Sequence, residues 1–84
     1  MITVAAVPNC QQCRATIKRL TNAGHPPRTT NYQEDKTAQG IAIRNGWASA
    51  PIVYCTDNNG NEIHSWHGYN PHAIDLAIQA GYAN

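Results

Sequence analysis

The chain has 84 residues, 42 % of them hydrophobic, and a formal net charge of +1. A chain this short corresponds to one domain, spanning 1–84, that buries only about 60 to 65 % of its unfolded surface, and no apolar run approaches the roughly 18 to 20 residues of a membrane span. The Lys and Arg residues are scattered, so no basic block marks a nucleic acid or an anionic membrane as a partner.

The chain opens on Met1-Ile2-Thr3-Val4 without the charged leader and cleavage site of a signal peptide, which predicts a cytoplasmic protein. Residues Ile2 to Val7 are β-branched or small and nearly uncharged, the pattern of a strand buried on both faces. Pro8 and Asn9 stop it. From Cys10 the apolar positions Cys13, Ile17 and Leu20 recur at helical spacing, with Arg14, Lys18 and Arg19 on solvated sides and Asn22-Ala23-Gly24 as the stop. Arg28 to Tyr32 reads as an edge strand, because His25-Pro26-Pro27 precedes it and proline cannot donate to a sheet ladder.

Glu34-Asp35-Lys36-Thr37 starts a second helix with Ala38, Ile41 and Ala42 on one face, Gly40 weakening it and Gly46 ending it. Ile52-Val53-Tyr54-Cys55 is a strand signal, and Thr56-Asp57-Asn58-Asn59-Gly60-Asn61 contains an Asn-Gly pair that favours a hairpin turn with positive φ angles. Glu62 to Trp66 returns. Asn70-Pro71 is an N-cap with proline at the first helical position, followed by Ile74, Ala77 and Ile78 on one face and Gly81 as terminator. The predicted order is β-α-β-α-β-β-α: an α/β protein with a four-stranded mixed sheet flanked by three helices, in which the first two strands are parallel and the last two form a hairpin.

Cys10 and Cys13 lie three positions apart where the first strand gives way to the first helix. A redox pair, half of a metal clip and two buried thiols are all compatible with that spacing. A thiol attacks a disulfide only as thiolate, and the unpaired N–H groups and positive dipole of a helix N-terminus stabilise an anion there. Cys10, at the loop edge, is then the exposed attacker. Cys13, on the stripe of Ile17 and Leu20, is the sheltered resolving sulfur. Zinc needs four ligands, and the only second pair would be His64 and His67, some fifty residues away, so no metal is predicted. Cys55, in a strand, reads as a buried free thiol. His72 at a helix start and His25 beside two prolines are assigned no catalytic role.

These features together resemble the thioredoxin-fold redoxins, and among them the glutaredoxin-like NrdH-redoxins. Pro8-Asn9-Cys10-Gln11-Gln12-Cys13 is similar to that family's Pro-x-Cys-Val-Gln-Cys site. Asn45-Gly46-Trp47 and Ala50-Pro51-Ile52-Val53 resemble its Gly-aromatic and Ala-Pro-Val-Val segments, and Trp66-His67-Gly68-Tyr69-Asn70-Pro71 its Trp-Ser-Gly-Phe-Arg-Pro signature. The resemblance implies a thioredoxin-like fold, a cis peptide bond before Pro51, and a thiol-disulfide oxidoreductase; the chain is expected to be a monomer, and no cofactor is predicted. It further implies that the protein donates electrons to a class Ib ribonucleotide reductase and is recharged by thioredoxin reductase. Around the catalytic Cys10 and Cys13, the implied partner-binding residues are Gln11, Gln12, Ala50, Pro51, Trp66, Gly68 and Tyr69; Pro51, Trp66 and Tyr69 would form an apolar platform, and the equal alternative is that Trp66 and Tyr69 are core aromatics at a strand end.

The chain departs from that pattern at Asn70 and His72, where the family carries arginine and an acidic residue, and at Val7, where redoxins often carry a basic one. The Thr56 to Glu62 hairpin is also longer than usual. A glutathione-dependent glutaredoxin is the alternative, but its lysine, Thr-Val-Pro and Gly-Gly-x-Asp anion contacts are replaced here by Val7, Ser49-Ala50-Pro51 and His67-Gly68-Tyr69-Asn70. A non-catalytic module that binds a metal or a partner is the second alternative.

Overall fold

Small and β-branched side chains at Ile2, Thr3, Val4 and Ala5 leave no bulk or charge on either side of the strand β1 (Ile2–Ala6), and all four are buried. The computed structural model describes residues 1–83. After β1 come α1 (Gln11–Asn22), β2 (Arg28–Asn31), a short 3-10 helix at Tyr32–Glu34, α2 (Lys36–Asn45), β3 (Ile52–Thr56), β4 (Glu62–His67) and α3 (Pro71–Gln79). The expected β-α-β-α-β-β-α order is therefore observed, with a 3-10 turn added where the second strand was expected to continue through Tyr32.

The sheet order is β2-β1-β3-β4. β1 runs parallel to β2 and antiparallel to β3, and β3 pairs antiparallel with β4. β2 is an edge strand, as the prolines before it require. Alternation along β1 and β3 splits the core between the two faces. Ile2, Val4, Val53 and Cys55 meet Leu20 of α1 and Ala73, Ile74 and Ala77 of α3 on one face. Ala5, Ile52 and Tyr54 meet Ala38, Ile41 and Ala42 of α2 on the other.

The helix boundaries follow local chemistry. Asp35 and Asn70 cap α2 and α3 by accepting from the N–H groups of Ala38 and Ala73, and Gly46 closes α2 with a φ of 70° that an L side chain rarely adopts. The β3–β4 turn differs from expectation: of Asn59 and Gly60 only Gly60 has a positive φ. Asp57 explains this, because its carboxylate accepts from the N–H groups of Asn59 and Asn61 and holds the long hairpin as a five-residue loop.

Asp35 also ties the edge strand β2 to β3 and α2. Thr30 Oγ1 donates to its carboxylate at 2.6 Å and Tyr54 Oη at 2.9 Å, while Arg28 donates to Tyr54 Oη at 3.1 Å. Burial opposes ionisation of Asp35, but these hydrogen bonds, the Ala38 N–H and the Arg28 charge outweigh it and hold the carboxyl below its ordinary value. A depressed folded-state pKa gives stability that is complete above the unfolded value of about 3.9 and is lost as pH falls through the folded value. Asp35→Asn is therefore expected to be less stable than wild type near neutral pH, with the gap narrowing below about pH 4. Urea unfolding across that range checks this, and a gap that stayed constant to the lowest pH would refute the ionic contribution.

Candidate functional site

Pro8 and Asn9 turn the chain out of β1, with Asn9 at a left-handed φ of 57°, a conformation that asparagine tolerates better than most residues. The turn delivers Cys10 to the N-cap of α1 in extended conformation. There its Sγ accepts a hydrogen bond from the Cys13 N–H at 3.1 Å. A sulfur thus occupies the place where Ser or Asp usually satisfies the orphan donors of a helix start. The first turn of α1 carries no acidic residue to oppose a thiolate there.

Cys13 is buried, on the inward stripe of α1 with Thr16 and Leu20. Thr16 is buried there, its hydroxyl donating to the Gln12 carbonyl at 2.8 Å, and Ile17 is half-buried and packs on the same core, as expected. Cys10 and Cys13 are joined by a disulfide with Cα atoms 5.2 Å apart, so the structure represents the oxidised form.

Two loops close around the dithiol. The Ala50–Pro51 peptide is cis, and the Pro51 carbonyl accepts from the Gly68 N–H at 2.9 Å. The side-chain Oε1 of Gln12 accepts from the Tyr69 N–H at 2.8 Å. Gly68 has a φ of 71°, and a Cβ built there would come within 2.9 Å of Gln12 Oε1. The positive φ is what calls for glycine here, since the end of the Gln12 side chain could shift aside.

The expected partner-binding residues divide into two groups. Gln11, Gln12 and Tyr69 are exposed and Ala50 is half-buried. Pro51, Gly68 and Trp66 are buried. For Trp66 the reason is strand alternation: it shares the covered face of β4 with His64 and packs into the core with Val53 and Ile74. Of the three residues expected to form an apolar platform, Tyr69 is exposed while Pro51 and Trp66 are buried, and an apolar groove lies nearby. Val7, Tyr32, Trp47, Ala48, Ser49, Ala50 and Ile52 line a groove of about 310 Å³ that contains no charged side chain. Trp47 is held there by stacking on His67, with ring centroids 4.8 Å apart. Its place after the helix-ending Gly46 is readable in sequence, but its partner emerges only from the β3–β4 register, which sets His67 opposite Ile52.

Cys55 is free and fully buried, and burial pushes its thiol up to about 11, against a small opposing effect of the N-terminal ammonium. His64 and His67 contact different aromatic partners, Trp66 and Tyr82 for the former and Trp47 for the latter. Among the described residues, no group of three or more His, Cys, Asp or Glu side chains is arranged to hold a metal ion, and no helix is long and apolar enough to cross a membrane.

A cysteine pair at the N-terminus of the first helix, on a mixed four-stranded sheet carrying three helices, defines a thioredoxin-like thiol-disulfide oxidoreductase. Among solved structures the chain is similar to NrdH-redoxin from Escherichia coli, described as a glutaredoxin-like protein with a thioredoxin-like activity profile. The two are 27 % identical with a TM-score of 0.70, over 89 % of this chain and 91 % of that one. No protein-family model and no curated protein sequence matches the chain.

Proposed function

We propose that this chain is a monomeric, single-domain cytoplasmic reductant of protein disulfides, that it supplies electrons to a class Ib ribonucleotide reductase, and that thioredoxin reductase recharges it. The observation that carries the reading is the Cys10 sulfur seated at the α1 N-cap with Cys13 buried behind it. In the reduced protein the Cys10 thiolate attacks one sulfur of the client disulfide. A Cys10–client bond forms and the other client sulfur leaves as a thiolate that takes up a proton. Cys13, once deprotonated, attacks the Cys10 sulfur and the second client thiol is released. Two electrons have then passed to the client, and the chain is left with its Cys10–Cys13 disulfide. Gln11, Ala50 and Tyr69 form the contact rim, and Gln12, Pro51, Gly68 and Trp66 hold the loops behind it.

The groove beside Ala50 is uncharged and offers no cationic anchor for the two carboxylates of glutathione, the exposed Arg14 and Lys18 lying on α1 instead, which favours a protein client and reductant. The similarity to NrdH-redoxin, with its thioredoxin-like activity profile, points the same way. A coupled assay tests the choice. NADPH oxidation in the presence of a disulfide client is expected with thioredoxin reductase, and at most background oxidation with glutathione plus glutathione reductase. The reverse pattern would replace this reading with that of a glutaredoxin.

A further inference from the structure

We infer that the exposed side of α1 leading away from the dithiol is a docking surface for acidic protein segments, so that the preferred client disulfides are those flanked by Asp or Glu. The inference rests on the proposed reduction of protein disulfides and specifies the partner's chemistry. α1 contains no carboxylate, yet it carries Arg14, Lys18 and Arg19, three of the six Lys and Arg residues in the chain. All three are exposed. Arg14 and Lys18 stand at i and i+4 and so share one side of the helix. At a rise of about 1.5 Å per residue, the basic row extends to about 12 Å from Cys10 along the axis.

The balancing charges lie elsewhere. Of the five Asp and Glu residues, Asp35, Glu34, Asp57 and Glu62 belong to the start of α2 and the β3–β4 hairpin. Only Asp75 reaches α1, where Arg19 forks onto it through Nε at 3.2 Å and Nη2 at 2.9 Å. Among the described residues, Arg14 and Lys18 have no ion-pair partner. A net charge of +1 therefore hides a local excess of positive charge beside the reactive sulfur.

The same side has shape as well as charge. Tyr69, whose N–H is held by Gln12, lies with Ala15, Lys18, Arg19 and Asn22 around a shallow depression of about 330 Å³. An acidic strand entering along Lys18 and Arg14 would be led to Cys10. Three cations are too few for a nucleic-acid footprint, which commonly engages about 6 to 10 phosphates. They do lie within roughly a Debye length of one another, where they act together on an approaching segment.

The test uses the reduced full chain and two peptides with the same intramolecular disulfide, one flanked by glutamates and one by lysines. The glutamate peptide is expected to be reduced about tenfold faster at low ionic strength, and less than about twofold faster near 0.5 M salt. The double variant R14E/K18E is expected to prefer the lysine peptide, while K36E, on the other helix, keeps the wild-type preference. Should the double variant not fold, K18Q and the wild-type salt series are read in its place, with a reduced preference expected in both. Equal rates for the two peptides, a preference untouched by R14E/K18E and K18Q, or one lost in K36E would overturn the inference while leaving the reductase reading intact. Displacement of the glutamate peptide by an equal concentration of duplex DNA would reassign the surface to nucleic acid. If neither peptide is reduced, the functional reading itself fails.

Discussion

Replacing Cys10 by serine is expected to lower disulfide reduction by several orders of magnitude, to the rate of the buffer, whereas Cys13→Ser is expected to halt the reaction with the client still bound to Cys10. The first effect is the loss of a covalent nucleophile, for which a hydroxyl at the same N-cap position is no substitute near neutral pH. Serine is itself a good N-cap, so the variant should fold and the loss should be chemical. The second effect follows from burial: Cys13 sits behind Cys10, where it can reach the mixed disulfide and a second client molecule cannot.

Cys55 is an internal control for both variants. With no solvent exposure and a thiol pushed up to about 11, only roughly one molecule in ten thousand would carry a thiolate there at neutral pH. Coupled NADPH oxidation measures the first effect, and intact-mass detection of the trapped adduct with peptide mapping measures the second. Turnover persisting in Cys10→Ser, or an adduct mapped to Cys55, would remove the roles given to the pair.

The parts of this arrangement that were legible in the sequence are those decided by near neighbours. Ile2 to Ala5 alone say that β1 is covered twice, Asn70-Pro71 says where α3 starts, and the strand before Cys10 with the helix after it places one sulfur at a helix end. What depends on distant pairing was not legible. Strand alternation alone leaves open which side of β4 is covered, so the sequence left Trp66 equally a platform or a core residue, and α3 packing over it places it in the core. Trp47 enters the groove because the β3–β4 register brings His67 beneath it. The tie from Gln12 to Tyr69 spans 57 positions. The Asn-Gly turn was misread for a local reason: Asp57 competes for the backbone N–H groups that a tighter turn would direct elsewhere.

Leu20→Ala is expected to cost about 2 to 5 kcal/mol of folding stability. Leu20 is fully buried where α1 meets α3 and the sheet, among Val4, Val53, Trp66 and Ile74, so its loss combines lost transfer energy with a cavity that a strand and two helices cannot jointly refill. A chain of this length has a total stability on the order of 4 to 13 kcal/mol, and the melting midpoint should fall by roughly 10 to 30 °C. Ile43, which is 80 % exposed on α2, supplies the contrast, since Ile43→Ala should stay within about 0.5 kcal/mol of wild type. Thermal and urea unfolding of the two variants measure both effects, and similar losses in each would contradict the packing described for α1. Leu20 lies seven residues beyond Cys13 on the same inward stripe, while the N-cap contact to Cys10 Sγ is made within the first turn. Below its lowered midpoint the variant should therefore keep the alkylation rate of the wild-type Cys10 thiol, because the N-cap surroundings of that sulfur belong to the helix start and not to the packed middle of α1.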